Sequence, residues 1–135
     1  MTRRDDGRIA IFFAILAPAY LAMIGLVVDG GGKIRALQRA DNIAAEAARA
    51  AGQAINAGQA IEGGEKVVDL RAARGAAAAY LGRLDGVTGS VTSTGDPRSL
   101  IVNVQVAWNP VFLGAFGVSG ATVTGQATAN LVVVR

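Results

Sequence analysis

The chain has 135 residues, with 13 Lys or Arg, 10 Asp or Glu and a formal net charge of +3. It contains no Cys and no His, which excludes a disulfide scaffold, thiolate metal sites, cysteine nucleophiles and His-dependent triads. The basic residues are scattered without interleaved aromatics, so the charge is not the footprint of a nucleic-acid binder.

The first segment, residues 1–8, is a basic leader carrying Arg3, Arg4 and Arg8. An uncharged apolar run follows, Ile9 to Val28, bounded by Arg8 and Asp29. At about 1.5 Å per helical residue it is about 30 Å long, one hydrocarbon thickness. The arginines before it predict a cytoplasmic N-terminus and an exterior C-terminal part. Three readings of the run compete. A cleaved secretion signal would use Ala17-Pro18-Ala19 as its processing site, but the run stays apolar well past that point. A permanent single transmembrane span fits the length. A stem that packs into a filament is a special case of that span. Pro18, in the middle of the run, removes a backbone hydrogen bond and predicts a kink or flexible point.

Gly30-Gly31-Gly32 come next and predict a hinge at the membrane surface, because each glycine costs about 1 kcal/mol against Ala in a helix. The string Gly-Gly-Gly-Lys lacks the spacing and the Ser/Thr of a phosphate loop. Lys33 to Ile55 is rich in helix formers. One stripe on it is Ile34, Leu37, Asp41, Ala44, Ala48, Ala51 and Ile55; another is Ala36, Ala40, Ile43, Ala47, Ala50 and Ala54. Two faces of small residues predict close neighbours on two sides, either this chain's own domain or a second subunit.

Asn56–Gly64 reads as a loop, and Asp69 as the cap of a second helix, Leu70–Leu84, stopped by Asp85-Gly86. Its inward face would be Leu70, Ala73, Ala77, Tyr80, Leu81 and Leu84. Strand patterns follow at Val87–Thr94, Ser99–Trp108 and Ala121–Val134, with a turn at Gly95-Asp96-Pro97. In the middle strand Leu100, Val102, Val104, Val106 and Trp108 share one face. In the last, Val123, Gly125, Ala127, Ala129 and Leu131 alternate with Thr122, Thr124, Gln126, Thr128 and Asn130. Two helices and a small antiparallel sheet make an α+β domain over residues 29–135. Phe112, Leu113 and Phe116 fall in a loop, where they either plug the end of the core or form an exposed patch. The serines have no base beside them and the carboxylates are scattered, so neither an enzyme nor a cofactor or metal site is expected.

The order of these features is informative as a whole: charged residues, Gly7, an apolar run broken by Pro18, Val28-Asp29-Gly30, then AAEAARAAGQAI and a TVTGQATANL tail. This arrangement resembles the TadE/TadG-like proteins of tight-adherence (Flp-type, type IV-like) pilus systems, over nearly the whole chain. The resemblance implies a pilin-like structural protein, a minor pilin or a membrane-anchored assembly component. Its implied partners are the membrane, other pilin-like subunits, tight-adherence assembly proteins and a prepilin peptidase. It also implies cleavage after Gly7, before Arg8. The family commonly carries Glu at the fifth position after the cut. Here that position is Phe12, which cannot pair with a neighbour's terminal amine. The departure favours a membrane component, or a subunit at a filament's tip or base, over the filament body. Stem and partner packing is expected at Phe12, Ala14, Pro18, Ala22, Ala44 and Ala48, with Arg8 and Asp29 at the membrane boundaries. The alternative is a bitopic envelope protein whose Thr-rich sheet binds cell-wall or surface ligands.

Overall fold

Residues 5–54, 69–96 and 99–131 are described in the structure, a computed structural model. The apolar run and the alanine-rich segment form one α-helix, α1 (Asp5–Gly52), of 48 residues. At about 1.5 Å per residue it is about 72 Å long. It passes through Pro18 and through all three glycines, so the expected hinge at Gly30–Gly32 is not a break. Strong helix formers on both sides mean that no new nucleus is needed, and each glycine then costs only about 1 kcal/mol. Contacts offset that cost. Gly31 and Gly32 are half-buried, and the indole nitrogen of Trp108 lies 3.2 Å from where a Cβ on Gly32 would stand.

The two ends of α1 differ in environment. Ile9, Ile11, Phe12, Phe13, Ile15, Tyr20, Leu21, Met23, Ile24, Leu26 and Val27 are all exposed. Beyond residue 39 the helix buries Ala40, Ile43, Ala44, Ala47, Ala48 and Ala51. Members of both alanine stripes therefore form one broad face, packed on the sheet and on the next helix. Ala44 and Ala48, expected as positions of partner packing, are core residues of this chain instead. The physical reason is that a helix wedged between a sheet and a second helix buries more than one stripe.

The second described helix, α2 (Leu70–Leu81), starts at Asp69, whose carboxylate accepts from the N–H of Arg71 at 2.8 Å and of Ala72 at 3.4 Å. It satisfies amides that a helix start leaves open. The helix ends at Gly82, earlier than the sequence suggests, and the chain continues in single turns to Leu84. Ala73, Ala77 and Leu81 are buried, with Leu70, Tyr80 and Leu84 packed beside them. The expected Asn56–Gly64 loop, Ile55 and Pro97 lie outside the described residues.

Three strands, β1 (Val87–Ser93), β2 (Ser99–Trp108) and β3 (Ala121–Asn130), form an antiparallel sheet in the order β1-β2-β3. The expected α+β architecture is what forms. The alternation sorts the side chains as read: Leu100, Val102, Val104, Val106, Val123 and Ala129 are buried. Thr122, Thr124, Gln126 and Thr128 face outward and are exposed. Residues 132–135, the end of the longer last strand expected from the sequence, lie outside the described residues.

The domain hangs on α1 through small side chains. A Cβ on Gly125 would collide with the backbone of Ala40 and Asp41. Next to this contact the Gln126 N–H donates to the Asp41 carboxylate at 3.3 Å, so the helix supplies an acceptor to the edge strand. Gly125→Ala should lower stability by about 1–3 kcal/mol, because helix backbone cannot move aside as a side-chain tip can. Gly75→Ala is the matched control. Gly75 is inside α2 with nothing near its absent Cβ, so this change should stabilise by about 0.5–1 kcal/mol. Thermal unfolding of the full chain in detergent micelles measures both, and equal effects would refute the close-approach argument.

Candidate functional site

Residues 109–120 link β2 to β3 and carry no charge. Pro110 is buried, and the segment then makes a short 3-10 helix, Leu113–Phe116. Gly117 reverses the chain at φ 85, in the left-handed region that suits glycine. The Val118 N–H then donates back to the Leu113 carbonyl at 3.1 Å. A helix start exposes unpaired N–H groups. Here the partner comes from a different element. Asp29 of α1 accepts from Val111 at 2.7 Å and Phe112 at 3.1 Å through Oδ1, and from Leu113 at 2.6 Å through Oδ2.

Asp29 is only 3% exposed. Burial pushes its carboxyl up, and the three backbone N–H groups more than reverse this, holding it below the usual aspartate value. Asp29 is therefore a clasp. Four residues on, Lys33 places its Nζ 5.9 Å from the centre of the Trp108 ring. Below the clasp, the Phe112 ring lies against Gly25, where any Cβ would overlap it. Phe116 stacks at a tilt on Phe112, with ring centres 5.5 Å apart. The aromatic loop thus does not plug the sheet's core: Phe112 packs against α1, while Phe116 stays exposed, as the patch alternative expects.

The other expected positions are not gathered into a site. Arg8, Phe12, Ala14, Pro18 and Ala22 are exposed along the stem, with Phe12 edge-on to Phe13 at 5.9 Å. Gly7 sits in the first turns of α1 with open space around it. Among the described residues, no group of three carboxylates could hold a metal ion. The sequence reading missed the role of Asp29. A carboxylate that ends an apolar run reads as a boundary charge, and its partners lie more than 80 residues away.

The clasp makes two expectations. Asp29→Ala leaves three amides without their acceptor, so hydrogen exchange at Val111, Phe112 and Leu113 should quicken by about tenfold or more. Because the folded carboxyl titrates below its unfolded value, the stabilisation is present above the unfolded value and lost as pH falls through the folded one. Acidification should therefore release the loop in the wild type and change little in Asp29→Ala. Equal exchange in both proteins across that range would refute the clasp.

No curated protein and no solved structure matches the chain. A family model described as "Putative Flp pilus-assembly TadE/G-like" matches residues 7–54. The matched segment is almost the whole of α1, with Gly7, Pro18, Asp29 and the alanine-rich face inside it. Over this segment the chain matches the TadE/G-like family of Flp pilus assembly, the family its sequence resembles.

Proposed function

We propose that this chain is a membrane-anchored, pilin-like structural component of a tight-adherence pilus machine. Residues 1–8 would stay in the cytoplasm, residues 9–28 would cross the membrane and residues 29–135 would stand outside it. The observation that carries this reading is the division of α1 into an exposed apolar half and a half buried in its own domain. An exposed apolar surface of this length needs lipid or other stems around it. Phe12, Ala14, Pro18 and Ala22 would face those surroundings, and the small residues among them permit close helix approach. Other pilin-like subunits and assembly proteins are the partners this predicts. Phe12 in place of the family's usual Glu favours an anchored component, or a tip or base subunit, over the filament body.

A second reading has one observation in its favour. The outer sheet face is uncharged and in register: Ser90, Asn103 and Gln126 form one row, and Thr88, Gln105 and Thr124 another. Asn103 accepts from the Gln126 side chain at 3.0 Å. Such a face suits a neutral polar surface ligand. Binding of the purified full chain to envelope material, abolished by Thr124→Lys, would favour this module.

The leading reading is tested by intact mass and N-terminal peptide mapping of the native protein. The expected result is a chain that keeps its leader and is found in membranes. A chain beginning at Arg8 in sheared surface fractions would instead make it a processed filament subunit. Topology is tested separately. A cysteine at Ser90 should react with an impermeant maleimide on intact cells, and one at Thr2 only after lysis. The reverse pattern would overturn the orientation.

A further inference from the structure

We propose that the loop joining β2 to β3 is a second membrane contact, a wedge that enters the outer lipid surface beside the stem. The inference rests on the reading of residues 9–28 as the span. Its starting point is height along α1. Phe112 lies against Gly25, inside the apolar run and about 6 Å along the helix before Asp29. The domain therefore reaches down over the last turn of the segment assigned to lipid.

The loop's chemistry fits that position. Val111 is 78% exposed and Phe116 75% exposed, and Val118 is exposed beside them. No charge interrupts residues 109–120. This apolar surface is continuous with the bare stem, so one lipid phase covers both. Polar backbone is the usual obstacle to placing a loop at this depth. Here the foremost amides are taken by Asp29, and the 3-10 turn and its Gly117 closure pair others. Asp29 in turn is shielded by the loop, which lets a carboxylate stand at the edge of hydrocarbon. Farther along α1, Trp108 sits at Gly32 with Lys33 over its ring. Apolar side chains first, then an amphipathic indole with a cation over its ring, is the order of a membrane interface. A neighbouring protein would also cover apolar side chains, but it gives no reason for that vertical order.

The chain has no native cysteine, so single nitroxide labels can be placed cleanly. The full chain carrying Phe116→Cys, Ile15→Cys or Ser90→Cys is reconstituted in vesicles of phosphatidylethanolamine and phosphatidylglycerol. Collision with oxygen, which enters lipid, is compared with collision with a water-soluble nickel chelate. The expected result is oxygen contact without nickel contact at residues 15 and 116, and nickel contact at residue 90. Nickel contact at residue 116 with residue 15 still in lipid overturns the wedge and leaves the anchor standing. Shielding of residue 116 from both reagents also overturns it, and points to a second protein copy over the loop. Nickel contact at residue 15 removes the anchor itself, and the wedge with it.

Discussion

The structure depends on how closely α1 can approach the sheet. Ala40 and Gly125 bring helix and strand together almost backbone to backbone. Ala44, Ala47, Ala48 and Ala51 keep the spacing small along the rest of the helix. Helix and last strand advance together: Gly32 lies beside Trp108, the β2 partner of Ala121 at the start of β3, Ala40 lies beside Gly125, and Ala48 and Arg49 share a groove with Ala127 and Ala129. A composition dominated by Ala, Gly and Val suits such an arrangement. Its core has few large side chains, and the largest fully buried ones are Leu100, Val102 and Val104. Apolar area per residue is therefore modest, and tight packing at short range has to supply the difference.

That approach explains why Asp29 matters. Small-residue packing holds the sheet beside α1 beyond residue 39, but the link between β2 and β3 extends past the sheet along the helix. Without a specific tie, an apolar loop of this kind would sample many positions. A carboxylate with three amide donors is directional and charge-assisted, so it defines one position. Burial would normally penalise the charged form; the three donors reverse that sign. The same residue can therefore sit at the end of an apolar run without being exposed to it.

Much of this was legible in the sequence, and the gaps have physical causes. Period-two alternation assigned the inward face of β2 residue by residue, from Leu100 to Val106, because one side of the sheet is buried and the other is not. Asp69 marked the start of α2 because capping is local chemistry. The TadE/G-like match lies on α1, where the order of charge, proline, aspartate and alanine is carried by one element. The errors lie where distant segments decide. Three consecutive glycines read locally as a hinge, yet the helix runs through them with Trp108 alongside. Ala44 and Ala48 read equally well as a surface for a partner and as core, since methyl groups carry little information about what faces them. The Asp29 clasp joins segments far apart in the chain, and no spacing rule reaches that far.

Continuity through the glycines changes what the stem can do. A hinge at the membrane surface would let the domain swing while the span stayed fixed. A single helix with the domain attached from Gly25 to Ala51 couples the two, so on the proposed reading of residues 9–28 as a span, tilt of the span becomes tilt of the sheet. The glycines then serve the attachment rather than flexibility: Gly25 admits Phe112, and Gly32 admits Trp108. Both contacts flank Asp29 within about two turns of helix. A side chain at either glycine would push the loop or the indole outward and loosen the clasp between them. The conformational cost of glycine in the helix is thus tied to a rigid junction between the exposed apolar half of α1 and the domain.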